Sequence, residues 1–249
     1  MILVEGDAEN LLLPIIAKII DRPLHRYGVS IVNVGSTAFL HYAKIFHRKD
    51  FQTMGIKVAI VTDLDVKPLE FYEEKGEDKS VQDIEEEKKE KRSDLDARFN
   101  KGEVKVFISP NWTLEYEISF SCLNKRFYRS LLWAEKKQNA KTGMPQKCKK
   151  KEVREQYKQD FEQWENEWHD KGRKKAKIAY EIYKKTMLDK DISKAITAQV
   201  FAENLEKFAH LRPERAKDYL LHATSIRYLI DAICYVTEIL EVKTGGSDY

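Results

Sequence analysis

The stretch Lys57-Val-Ala-Ile-Val-Thr-Asp-Leu-Asp65 decides the fold. Its apolar residues follow one another almost without alternation, as in a central parallel strand covered on both faces, and it delivers two acids, Asp63 and Asp65, at its carboxyl end. Two positions apart on a regular strand, such acids point the same way. Just past the strand end, two carboxylates repel each other unless a cation neutralises them. A hard divalent ion, Mg²⁺ or Mn²⁺, is the candidate, because it takes oxygen ligands.

Upstream, Ile2-Leu-Val-Glu5 is a short apolar run ending in an acid and a glycine, and the apolar segment Leu11 to Ile20 follows. This reads as strand, turn, helix. Pro14 is expected in the first helical turn, where its missing N–H is harmless, and Asp7 is expected to cap the helix. Val29 to Val34 predicts a second strand closing on Gly35, after which Ser36 or Thr37 can cap a helix from Ala38 to about His47. Val104 to Ile108 predicts a fourth strand, stopped by Pro110. Strands alternating with helices imply a parallel sheet with right-handed crossovers, and such sheets place their chemistry at the carboxyl ends of the strands, where Glu5, Gly35, Asp63 and Asp65 fall. Glu9, four residues after Glu5, can face back toward it from the first helical turn. An acid there also complements the helix dipole. Glu5, ending an apolar strand, is partly buried and needs a partner.

Two charged segments interrupt this pattern. Phe71 to Lys101 reads as an exposed helix supported by i,i+4 pairs, or a mobile loop. Glu135 to Lys190 carries Tyr157, Trp164 and Trp168 at spacings that suit one helical face. Residues 135–190 hold 17 Lys or Arg against 10 Asp or Glu, an excess of seven in a chain of net charge +3, so the remainder is acidic by four. A basic arm beside an acidic body suits a protein that holds phosphates with one and a metal with the other, and a solvated helical surface is the bland alternative. Near the end of the chain, Phe201, Leu205 and Phe208 share one helical face, and Ile226, Leu229, Ile230, Ile233, Val236 and Leu240 form another apolar stripe. Residues 244–249 read as a frayed tail.

The 249 residues can bury a real core, and no apolar run approaches the roughly 20 residues of a bilayer span. The amino terminus lacks the pattern of a signal peptide, so a cytoplasmic protein is expected. Cys122, Cys148 and Cys234 lie far apart without metal-site spacing, which argues for three reduced thiols.

Taken together, Leu3-Val-Glu-Gly-Asp-Ala-Glu9, Val32-Asn-Val-Gly-Ser36 and Val61-Thr-Asp-Leu-Asp65 resemble the Toprim domain of the overcoming-lysogenization-defect family of nucleases. The likeness covers residues 1–66. It resumes at Asn111-Trp-Thr-Leu-Glu115-Tyr-Glu117, at Ser193-Lys-Ala-Ile-Thr-Ala198 and at Tyr228-Leu-Ile-Asp-Ala-Ile233. The resemblance implies metal ligation by Glu5, Glu9, Asp63, Asp65 and Glu115, and transition-state stabilisation by Lys194. The choice of Glu115 over Glu117 rests on the motif alone. It also implies two ions, Mg²⁺ or Mn²⁺, which activate a water and stabilise the leaving oxygen. Family members carry an ABC-type ATPase before this domain, and this sequence has no Walker A motif. The expectation is therefore an excised carboxyl-terminal fragment or a nuclease subunit whose ATPase is a separate chain.

The expected architecture is α/β, a Toprim-type, Rossmann-like parallel sheet flanked by helices. Residues 1–125 form the catalytic core with a charged insertion at about 70–101, residues 126–190 a basic helical insertion, and residues 191–249 helices that complete the domain. The expected function is a metal-dependent endonuclease acting on DNA, in phage defence, with Lys147, Lys149, Lys150, Lys151, Arg173, Lys174 and Lys175 contacting nucleic acid and homo-oligomers allowed. The alternatives are a Toprim nuclease that cuts RNA and a non-catalytic Toprim module that binds nucleic acid or a partner. A topoisomerase needs a tyrosine-bearing companion domain and a primase needs a zinc module, neither of which the sequence offers.

Overall fold

A computed structural model describes residues 1–35, 39–47, 55–138, 146–168, 171–187 and 192–238. The sheet is built from β1 (Ile2–Val4), β2 (Ile31–Asn33), β3 (Val58–Thr62) and β4 (Val104–Ile108), all parallel, in the order β2-β1-β3-β4. Leu3 pairs with Val32 on one side and Ile60 on the other, and Ile60 pairs in turn with Val106. This order puts the switch in winding direction between β1 and β3. Glu5 and Asp63 leave the sheet there, where parallel α/β sheets open a crevice.

Both faces of the sheet are covered, which is why β3 needs no polar alternation. Ile2, Val4, Ala59 and Val61 pack with Leu13 and Ile16 of α1 (Asp7–Ile19) and with the carboxyl-terminal helices, while Leu3, Val58, Ile60 and Val104 pack on the opposite face. That second face is closed by Ala43 of α2 (Phe39–Phe46) and by Ile84 and Phe99 of the long helix α4 (Val81–Phe99). α4 follows the short α3 (Leu69–Lys75) and opens with a capping box between Ser80 and Asp83. The charged segment is thus a helix, and its two buried residues dock it on the sheet.

After β4 the described residues form helices: α5 (Leu114–Phe120), α6 (Asn124–Gln138), α7 (Gln146–Glu167), α8 (Lys171–Met187), α9 (Lys194–Leu211), α10 (Pro213–Leu221) and α11 (Arg227–Val236). Tyr157, Phe161 and Trp164 form the buried face of α7, with Trp168 partly buried just beyond its end. Phe201, Leu205 and Phe208 of α9 are buried, as are Leu229, Ile230, Ile233 and Val236 of α11 and Ile226 just before it.

Two local expectations fail. α1 begins at Asp7, so Gly6 is the N-cap and Asp7 the first helical residue, where it accepts a hydrogen bond from the Asn33 amide at 2.8 Å and makes no cap. Pro14 accordingly lies inside the helix, where it leaves one carbonyl of the preceding turn without its N–H. Gly6 caps the helix two residues after β1, so the helix starts ahead of its apolar run. Ser36, Thr37, Leu240 and the 244–249 tail lie outside the described residues.

Candidate active site

Glu5 follows β1 directly, and the hydroxyl of Thr62, the last residue of β3, donates to its carboxylate. This bond ties the ends of two neighbouring strands together. Glu9, one turn into α1, folds its carboxylate back over Gly6, where an added Cβ would stand 3.1 Å from Glu9 Oε2. A side chain at position 6 would therefore press on the Glu9 carboxylate and shift it by a few tenths of an ångström. Asp63 and Asp65 lie past the strand end on a tight turn in which Asp65 is left-handed, with φ 55°. The turn parts the two acids: Asp63 is withdrawn and Asp65 exposed. Glu115, buried in the first turn of α5, lies with its Oε1 3.7 Å from Lys194 Nζ, and Lys194 opens α9 behind its Ser193 cap. The chain therefore brings Glu5, Glu9, Asp63, Asp65, Glu115 and Lys194 together from four separated segments.

The carboxylates act on one another. Burial, followed by the charges of Glu9, Glu115, Glu5 and Asp65, holds the Asp63 carboxyl well above the usual carboxylate range. Burial also pushes Glu9 up to about 7, with Glu115 and Glu5 adding to the shift and Lys194 opposing it. Glu5 is raised by burial and by Asp65, against the Thr62 hydroxyl and the Lys91 ammonium. Desolvated like charges hold protons where a cation would otherwise stand. Five oxygen-donor acids and no soft ligand fit a hard divalent cation. Among the described residues, however, no three His, Cys, Asp or Glu side chains are disposed to hold a metal ion as they stand. The acids are close enough to raise one another's proton affinity without being gathered into a coordination shell.

Several neighbours of this cluster escape a reading of sequence. Lys91, on the charged helix α4, reaches the Asp65 carbonyl at 3.4 Å. The Tyr183 ring packs on Trp112, with centroids 4.0 Å apart, and its hydroxyl feels Glu115, Asp63 and Asp65, while burial is the main cause of its raised pKa. Tyr228 is buried beside Asp63 and Glu9, and its hydroxyl has no hydrogen-bond partner among the described residues. Glu117 faces away from the cluster. It accepts from the backbone N–H groups of Asn111 and Trp112 and from the Asn111 side chain, yet burial outweighs these donors and pushes it up to about 7. One signal was available for Tyr228, which opens the last motif of the resemblance. The others carry none, because they come from segments without a motif of their own or sit beside a more prominent acid.

The basic arm, which lends Tyr183 to this neighbourhood, has its expected nucleic-acid contacts elsewhere. Lys150 and Lys151 are exposed on α7, with Lys151 3.8 Å from Glu155, whereas the side chains of Lys147 and Lys149 lie outside the described residues. The three cations of α8 expected to contact nucleic acid are engaged by protein groups. Arg173 bonds to Glu73 at 2.8 and 2.9 Å and to Glu70 at 3.1 Å, Lys174 donates to the Glu165 carbonyl, and Lys175 lies over the Phe120 ring. Among the described residues no helix is long and apolar enough to cross a membrane. Cys122 and Cys234 are free thiols.

Residues 1–65 match the family model described as overcoming lysogenization defect protein-like, TOPRIM domain. No curated protein matches the chain. Among solved structures, the chain is similar to the C-terminal region of the Xanthomonas campestris pv. campestris OLD protein, with TM-score 0.49 and 20% identity over 95% of this chain and 90% of that one. It is also similar to the C-terminal region of the Burkholderia pseudomallei OLD protein, with TM-score 0.46 and 20% identity over 93% and 97%. With the acids of β1 and β3 converging at the carboxyl end of a parallel sheet, residues 1–65 belong to a TOPRIM domain of the overcoming-lysogenization-defect-protein-like family.

Proposed function

We propose that the chain is the nuclease module of an enzyme that hydrolyses DNA phosphodiesters with Mg²⁺ or Mn²⁺, two ions at full occupancy, in defence against phage and coupled to an ABC-type ATPase domain or subunit. The observation that carries this reading is the convergence of Glu5, Glu9, Asp63, Asp65 and Glu115, mutually repelling and, apart from Asp65, withdrawn from solvent, beside Lys194. A structural role does not account for it, since burying like charges together costs stability.

Glu5, Glu9, Asp63, Asp65 and Glu115 would hold the cations. When bound, these supply Lewis-acid stabilisation of charge at the scissile phosphate. Thr62 fixes the orientation of Glu5. Lys194, half exposed and beside Glu115, sets a positive charge where negative charge develops in the transition state. Lys147, Lys149, Lys150 and Lys151 of α7 are the proposed contacts to substrate phosphates, while Arg173 and Lys175 fasten α8 to α3 and α5 and Lys174 fastens it to α7.

Labelled plasmid DNA and tRNA, offered side by side with Mn²⁺, Mg²⁺ or EDTA, test the reading. Metal-dependent DNA cleavage that EDTA abolishes and Asp63→Ala loses supports it. Preferential cutting of tRNA would establish the RNA-cleaving alternative, and binding without cutting would establish a non-catalytic module.

A further inference from the structure

We propose that Glu117 is a positioning residue for the Asp63–Asp65 turn, acting through the backbone of the 109–112 loop. The inference rests on the reading of the acidic cluster as a cation site. Glu117 has no exposed surface. Its Oε1 accepts the N–H groups of Asn111 at 2.6 Å and Trp112 at 2.9 Å, and its Oε2 accepts the Asn111 side-chain amide at 3.0 Å. Trp112, whose N–H is so held, presents its carbonyl on the next peptide to the acidic turn, where it accepts the N–H groups of Leu64 at 3.1 Å and Asp65 at 3.3 Å. Ser109 completes the frame, donating to the same carbonyl at 2.6 Å and accepting the Leu64 N–H at 2.8 Å. From the other side, the Ser225 hydroxyl donates to the Glu117 carbonyl at 2.7 Å, which pins this turn of α5 to the approach to α11.

Asp65 has a left-handed backbone, which costs a residue with a side chain some strain even though aspartate tolerates it better than most. The groups that hold the turn are the Trp112 carbonyl and the Ser109 hydroxyl, and Glu117 sets the first of them. An apolar residue at 117 would deprive the buried Trp112 N–H and two half-buried donors of Asn111 of their acceptor. Glu115, two residues earlier, lies about 200° away around the helix. One turn of α5 therefore gives one acid to the cluster and the other to the frame that aims it.

The test compares wild type, Glu117→Ala and Glu117→Gln in the whole chain, well below their melting temperatures. Three readouts are amide exchange of the metal-free protein at Leu64, Asp65 and Trp112, Mn²⁺ affinity by paramagnetic resonance, and single-turnover DNA cleavage. Glu117→Ala should speed exchange at these amides and raise the Mn²⁺ dissociation constant ~10–100-fold, the range for losing a group that orients a ligand, with cleavage falling in step. Glu117→Gln should restore most of each, because its amide oxygen still accepts both backbone N–H groups and Asn111 can turn its own side-chain oxygen to the new amide. A folded Glu117→Ala with unchanged exchange and Mn²⁺ affinity overturns the proposal, as does Glu117→Gln being as impaired as Glu117→Ala. If Glu117→Ala does not fold, Ser109→Ala weakens the same frame and should shift both readouts in the same direction; unchanged values overturn the proposal. A wild type that binds no Mn²⁺ refutes the cation reading instead, and amide exchange alone then decides whether Glu117 holds the turn.

Discussion

At the carboxyl end of the sheet five acids crowd together with Lys194 and Lys91 at their margin, whereas on α8 the charges find opposite partners. Arg173 joins Glu70 and Glu73, Lys184 joins Glu74 and Glu181, and Lys185 joins Asp160 and the Tyr128 hydroxyl. The first region also keeps a left-handed aspartate and two buried hydroxyls, of Tyr228 and Thr197, without partners among the described residues. Local conflicts of this kind mark places where function overrules stability, while the satisfied arm reads as architecture. Density of charge along the sequence is a poor guide to chemistry. Whether each charge has a partner is a better one.

The largest effect that could break this contrast lies at Asp63. Asp63→Asn keeps the shape and removes a buried carboxyl that without metal must either take up a proton or stand charged among four other acids, so cleavage should fall by ~10³-fold or more while the metal-free protein gains stability. A gain of about 1 kcal/mol would raise the melting temperature by about 2–4 °C for a chain of this size. Adding Mn²⁺ should then stabilise wild type and not the variant. A variant that melts lower than wild type without metal would show that the acids are not in conflict.

Lys194 sharpens the same contrast from its positive side. Lys194→Ala should slow single-turnover cleavage ~100-fold with Mn²⁺ affinity unchanged or tighter, because a cation near the ligands opposes metal binding and helps only the transition state. Lys194→Arg should rescue poorly, since the broad guanidinium does not replace a compact ammonium. Cleavage at the wild-type rate would reduce Lys194 to the partner of Glu115.

In the arm the expected loss is of stability and not of chemistry. Arg173→Ala leaves the buried Glu70 without its cation and should cost about 1–2 kcal/mol, less than a fully buried pair because Arg173 is 36% exposed. The variant should melt a few degrees lower and cut DNA as wild type does. Loss of cleavage in a protein that still melts near the wild-type temperature would move α8 into the substrate path. The smallest effect belongs to Lys150 and Lys151. Replacing both with Gln should reduce the slope of log affinity against log salt by about 0.9 for each phosphate that is no longer neutralised, equally for all DNA sequences. An unaltered slope would leave α7 a solvated surface.

Much of the sheet was legible because each strand is short, apolar and ends in a recognisable residue. β3 and β4 begin and end within one residue of the runs that announce them, and Glu5, Asp63 and Asp65 follow from strand ends alone. Pro14 misled because the helix starts at Asp7, ahead of its apolar face. Glu115 and Glu117 could not be told apart because both are acids in the first turn of α5, and only the rotation of that helix assigns them to different neighbours. The role of Arg173 was hidden for a different reason. Its partners Glu70 and Glu73 lie about a hundred residues earlier, in a segment whose own composition suggests exposure.

The left-handed turn at Asp65 has a consequence for how this position tolerates change. Asparagine and glycine adopt that backbone with less strain than other residues, and β-branched residues adopt it worst. Selection for folding alone should therefore let position 65 drift toward glycine, whose lack of a side chain also spares the cluster a charge. A library at this position sorted first for soluble expression and then for DNA cleavage should separate the two pressures, with glycine and asparagine enriched in the first sort and aspartate alone surviving the second.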